Sequence, residues 1–234
     1  MSQVVGEMNR ETPVLMIKFM PSQYLADFLK DGRLHMNKLS YFKELEETNV
    51  VARSDNHEGA EVAYFFDSFE FSLGEELITA QSAKLRIHHE YNLCMNVYCM
   101  TAITVGDLIE SGGEIRLSAD FLEFGDKAVV FYNEGLRLFV DRLSETLNTI
   151  PKIASHQKYK HFAKKIEYMP ATYSGEFGIF RKQSQYSWQY EWRLAVEQKE
   201  TSGLYDRICL GDISQWAHVF DTKELLNEPI RISN

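Results

Sequence analysis

The sequence predicts a mixed α+β fold, one domain of mainly antiparallel strands with a few helices. Three observations carry this reading. Aromatic or β-branched runs recur along the 234 residues, one clear amphipathic helix stands among them, and no linker, repeat or low-complexity segment divides the chain. Hydrophobic residues make up 44% and charged residues 25%, which supplies a sizeable core and argues against disorder.

The elements follow in order. Residues 1–12 read as a loose leader and residues 13–234 as the domain. Val14-Leu15-Met16-Ile17, continued by Lys18-Phe19-Met20, predicts a buried strand. Pro21 stops it, and Ser22 is the expected N-cap of a helix carrying Tyr24, Leu25, Phe28 and Leu29 on one face. Gly32 closes that helix in the left-handed conformation that only glycine adopts freely. Arg33 to Leu39 returns as a second strand, and Ser40 to Glu47 gives a helical turn or two.

Strand signals dominate from Glu61 to Leu117, in Val62–Phe66, Phe69–Phe71, Leu85–Ile87 and Leu93–Ile103. Ala128–Tyr132 is another. Leu136, Phe139, Val140, Leu143 and Leu147 then form one apolar helical stripe. Ile166–Met169, Trp188–Val196 and Arg207–Leu210 read as late strands, with a turn at Leu210-Gly211-Asp212.

Charge and cysteine usage narrow the function classes. A formal charge of −9 argues against a general polyanion binder, which needs clustered Lys and Arg on phosphates. Cys94, Cys99 and Cys209 form no Cys-x-x-Cys pair and read as buried thiols in a reducing compartment. The first residues hold no signal-like apolar run and no stretch is long enough for a membrane span, so the expected location is cytoplasmic with no membrane partner.

The segment Trp188 to Val196 carries the strongest chemical signal. If it is a strand throughout, Gln189, Glu191 and Arg193 share one face, and Tyr190, Trp192 and Leu194 the other. A carboxylate so placed can stabilise a developing positive charge or hold a sugar hydroxyl. The plain structural alternative is a half-exposed strand with a Glu–Arg pair.

Gln189-x-Glu191 on a late strand resembles the Glu/Gln-x-Glu signature of the ADP-ribosyltransferases. The opening also resembles that of such folds, with a strand at Ile17-Lys18-Phe19, a helix ending at Gly32, and a strand leading into an aromatic-acidic segment up to Glu46. The resemblance covers these two blocks. It implies split antiparallel sheets and a cleft for NAD, used as a substrate. It implies Glu191 as the catalytic carboxylate on the nicotinamide ribose and Gln189 as the residue that orients a nucleophile other than arginine. Ser40 or Tyr41 takes the Ser/Tyr position, with Tyr41 stacking on nicotinamide. Lys18 stands where the family has Arg or His, which brings in Arg53 as an alternative cofactor contact. The acceptor is then a protein or a nucleic acid, as for a toxin or host–phage conflict effector. Glu191→Gln is expected to abolish transfer with little loss of stability.

Three other features each carry a functional and a plain reading. The loop Arg53 to Gly59, with Asp55, His57 and Glu58, offers a phosphate clamp or proton carriers, and less readily a metal-dependent nuclease site; a solvated loop is the plain reading. No metal site is expected, and His88-His89-Glu90 reads as ordinary strand histidines pointing to opposite faces. Lys152 to Ile166 contains five Lys and no Asp or Glu. There Lys158, Tyr159, Lys160 and Lys164 are candidate contacts to an acceptor such as single-stranded nucleic acid, against the plain reading of a solvated basic surface. The competing function is a non-catalytic binding or inhibitor module on the same fold, facing a protein partner.

Overall fold

The strand Asn96–Thr104 is the hub of the molecule, with eight of its nine residues buried. The computed structural model describes residues 9–42, 60–66, 68–80, 83–88, 95–149, 163–196 and 208–231. Around the hub runs a seven-stranded sheet in the order Ala163–Lys165, Glu191–Val196, Asn96–Thr104, Pro13–Met20, Lys127–Tyr132, His218–Asp221, with Asn37–Lys38 as a further partner of the hub. Every pairing in it is antiparallel. Smaller sheets flank it, among them Gly175–Glu176 with Ala60–Phe66 and Ala83–His88, and the hairpin Phe69–Leu73 with Glu76–Ala80. The chain is thus a mixed α+β protein with several antiparallel sheets, as its strand-rich pattern predicts.

Both faces of the central sheet are covered, which explains why its strands read as nearly continuous apolar runs. On one face Met16, Tyr98, Met100, Val129, Phe131 and Leu194 pack against Phe28 of the helix Leu25–Asp31 and against Leu136, Phe139 and Leu143 of the helix Asn133–Thr149. These three are members of the stripe read from the sequence. On the other face Ile17, Phe19, Ile103 and Val130 meet Leu108 and Phe121. Farther along, Leu39, Val97, Ile179 and Ala195 form a third cluster. Each fully buried aliphatic or aromatic side chain contributes roughly 1.5–3 kcal/mol.

Several local expectations are corrected. Gly32 does take the left-handed conformation at φ 57°, and a Cβ there would lie 2.6 Å from the Gly211 carbonyl oxygen. Ser22 does not cap through its side chain; its amide donates instead to Asp126 Oδ1 at 2.7 Å. Arg33–Leu39 is not one strand but two short pieces, Arg33–Leu34 and Asn37–Lys38, with different partners. The helix Val105–Glu110 lies inside the stretch read as strands, started by a capping box in which Thr104 Oγ1 accepts from the Asp107 amide and Asp107 from the Thr104 amide. The helix Thr222–Asn227 and the strands Glu76–Ala80 and His218–Asp221 were also not foreseen.

Among the described residues, no helix is long and apolar enough to cross a membrane. Cys99 is partly buried and Cys209 is exposed, so Cys209 is not the core thiol expected. The loop with Arg53, Asp55, His57 and Glu58, the residues Lys158, Tyr159 and Lys160, and His89, Glu90 and Cys94 lie outside the described residues.

Candidate functional site

The hub strand has two partners on one of its edges. Leu15 to Ile17 pair with Thr101 to Ile103, while Asn37 and Lys38 pair with Val97 and Asn96. Between them Tyr98, Cys99 and Met100 have no strand partner on that edge among the described residues. The two partners leave a gap along that edge. Lys18 reaches into the gap, donating from Nζ to the Cys99 carbonyl oxygen at 2.8 Å, with its ammonium 4.3 Å from the centre of the Tyr98 ring. A side-chain donor thus takes the place a strand amide leaves vacant.

A cavity of about 490 Å³ opens at this gap. Lys18, Tyr41, Gln189 and Glu191 all line it. Four residues singled out from separate parts of the sequence are therefore brought together. Ser40 belongs to the same helical turn as Tyr41 but does not line the cavity. Lys164 does not reach it either. It lies on a strand beside a smaller pocket, paired with Glu167 at 2.8 Å and with its ammonium 5.4 Å from the Phe180 ring centre.

The Gln189–Glu191 segment differs from the expected strand. Ser184–Gln189 is a 3₁₀ helix, Tyr190 takes a left-handed conformation at φ 45°, and the strand begins only at Glu191. Gln189 therefore reaches the cavity from a turn. The left-handed residue is strained for a tyrosine. It is held by hydrogen bonds on both sides: its amide donates to the Ser187 carbonyl at 3.1 Å, and its own carbonyl accepts from the Ala102 amide at 2.8 Å.

Glu191 and Arg193 do share a face, but that face is buried, not half-exposed. Glu191 is 5% exposed and Arg193 2%. Arg193 donates from Nε to Glu191 Oε1 at 2.8 Å and from Nη1 to the Ile179 carbonyl at 2.7 Å. Lys182, which the sequence reading missed, lies 2.7 Å from Glu191 Oε2 and donates to Gln189 Oε1 at 3.2 Å. Burial opposes a charge on Glu191, yet the Arg193 and Lys182 charges outweigh it and hold its carboxyl well below the usual carboxylate range. Cys99, hydrogen-bonded to Glu191, is pushed up to about 12 by burial and by that same negative charge. The Tyr168 hydroxyl accepts from the Glu191 amide at 2.8 Å and fixes the start of the strand.

The cavity wall is cationic in a chain of net charge −9. Among the described residues, Lys18, Arg33, Lys182 and Arg193 face it against Asp27 and Glu191. Aromatic rings line it as well, including Tyr24 and Tyr41, both more than 40% exposed, and Phe121, which packs edge-on against Trp188. Such a wall favours an anionic ligand that also carries flat rings. No group of metal-ligating side chains occurs among the described residues. No family model matches the sequence, and no curated protein or solved structure matches it.

Proposed function

We propose that the chain binds NAD in this cavity and transfers ADP-ribose to a macromolecular acceptor, as an ADP-ribosyltransferase-like enzyme. The observation that carries this reading is the convergence of Glu191, Gln189, Lys18 and Tyr41 on one cavity. Its volume falls within the ~300–1,000 Å³ range of small-molecule sites. Its surplus of cations suits a pyrophosphate, and its rings suit the two bases.

In the proposed reaction the bond between ribose C1′ and the nicotinamide nitrogen breaks. Nicotinamide leaves with the electron pair and becomes neutral. The acceptor's nucleophilic atom bonds to C1′ and releases its proton to solvent. Glu191, held ionised, is a poor proton acceptor but a permanent negative charge beside the developing oxocarbenium ion. Gln189 orients the acceptor. Lys18 stands at the first-strand position, spanning the gap by its contact to Cys99. The acceptor is a protein or a nucleic acid, and a toxin or conflict effector is the biological setting that fits.

One observation favours a second reading, a non-catalytic binding module. Both carboxylate oxygens of Glu191 are already engaged, by Arg193 and Lys182. For transfer, a ribose hydroxyl must join or displace one of these contacts. The distinguishing experiment incubates the protein with labelled NAD and cell lysate. Enzymatic transfer labels protein or nucleic acid, and the label disappears in a Glu191→Gln variant checked to be folded at the assay temperature. A binding module gives no label with either protein.

A further inference from the structure

The extended stretch after Gly32 sorts its side chains by alternation. Leu34 and Met36 are fully buried, at 0% exposure, in the core under the helices. Arg33, His35 and Asn37 project the other way and line the cavity. The backbone is held in place at both ends, Leu34 pairing with Ile208 and Asn37 with Val97. A polar ladder is thus fixed by two buried anchors and by pairing to two different strands.

Arg33 and His35 are exposed at the mouth of the cavity, beside the Tyr24 ring, which lies parallel to the His35 ring with centroids 6.5 Å apart. Among the described residues, Arg33 makes only a long contact of 3.4 Å to Asp31, on a side chain 46% exposed. An ion pair of that length and exposure holds its guanidinium weakly. Lys18 lines the same cavity from the first strand. At the deep end, by contrast, Lys182 and Arg193 are each already paired with Glu191.

We infer that Arg33, with His35 and Lys18, forms the anion subsite of this cavity and takes the phosphoanhydride of a nucleotide-sized ligand. Arg presents a planar fork of donors that matches phosphate oxygens, and His adds a ring donor at the next ladder position. Asn37 supplies neutral amide contacts farther in. A ring-lined cavity of about 490 Å³ matches a small phosphorylated molecule in size. This inference deepens the NAD reading, but it needs only that the cavity binds a phosphorylated ligand, not that transfer occurs.

The test is a calorimetric titration with inorganic pyrophosphate, ADP-ribose and adenosine. Wild-type protein is expected to bind ADP-ribose and pyrophosphate, and adenosine far more weakly. Arg33→Gln is expected to weaken ADP-ribose binding by about tenfold, the loss of one charge-assisted contact. Arg116→Gln, a change at an exposed arginine that does not line the cavity, is expected to leave binding unchanged. Binding of ADP-ribose and pyrophosphate without transfer of label from NAD separates the subsite from the transfer reaction. Equal affinities for ADP-ribose in wild type and Arg33→Gln overturn the assignment. So does the absence of any pyrophosphate or ADP-ribose binding at millimolar concentration, or adenosine binding as tight as ADP-ribose.

Discussion

Lys182 Nζ lies 2.7 Å from Glu191 Oε2, and both side chains are nearly excluded from solvent. With Arg193 on the other oxygen, a single buried carboxylate holds two buried cations. Removing it takes this counter-charge from both. Glu191→Gln is therefore expected to lose about 3 kcal/mol of stability, against the small loss anticipated from a half-exposed strand. Urea unfolding of the variant at neutral pH checks this. A loss within experimental error of zero shows that the cluster contributes no net stability.

The same cluster sets an acid response. The Glu191 carboxyl is held well below its ordinary value of 4.5, mainly by Arg193 and Lys182 working against burial. A depressed folded-state value means the stabilisation is complete above 4.5 and is lost as pH falls from there through the folded value. The stability gap between wild type and Glu191→Gln is expected to hold from pH 7 to about 5. It then narrows progressively on further acidification, as measured by denaturant unfolding at each pH. A gap that instead widens below pH 4.5 contradicts this sign.

The thiols are expected to differ sharply in reactivity. Cys99 is pushed up to about 12, whereas Cys209 is exposed. At pH 8 the thiolate fraction of Cys99 is roughly one part in ten thousand. Iodoacetamide followed by peptide mapping is expected to alkylate Cys209 in the native protein and Cys99 only after denaturation. Native modification of Cys99 at a comparable rate contradicts the geometry around Glu191.

Gly32 tests the local fold that presents the polar ladder. Its φ of 57° and the 2.6 Å approach of a Cβ to the Gly211 carbonyl leave no room for a side chain. Gly32→Ala is expected to cost about 2–3 kcal/mol and to lower the melting temperature. A change below 0.5 kcal/mol, a threshold of order thermal energy, argues against this packing.

The parts of this site that the sequence discloses are the ones written in local patterns. The apolar run before Met20 gives the first strand, the 3.6-residue stripe from Leu136 gives the long helix, and Gly32 gives its own left-handed cap. The Arg33-Leu34-His35-Met36-Asn37 alternation is equally visible, but alternation alone marks a strand and not which of its faces lines a site. The capping box at Thr104 and Asp107 marked a helix that the surrounding strand-like residues obscured. Lys182 carried no such signal. It comes from the three-residue strand Arg181–Gln183, whose single strand partner among the described residues is Glu167–Met169, and meets Glu191 only through tertiary packing. The turn at Gln189 was hidden because Trp188, Tyr190 and Trp192 alternate as a strand would, while Tyr190 is in fact left-handed. Burial of Glu191 and Arg193 was also illegible, since charged strand residues usually face water and the partners that offset it, Lys182 and the Ile179 carbonyl, come from another part of the chain.

Calorimetric titration of NAD itself addresses the central claim most directly. Tyr41 lines the cavity and is 41% exposed, so Tyr41→Ala removes a ring from the site with little effect on stability. Saturable one-to-one binding of NAD to the wild-type protein, weakened by about tenfold in Tyr41→Ala through loss of stacking, is the expected result. No binding at millimolar NAD, or an affinity unchanged by Tyr41→Ala, contradicts the proposal that this cavity is the NAD site.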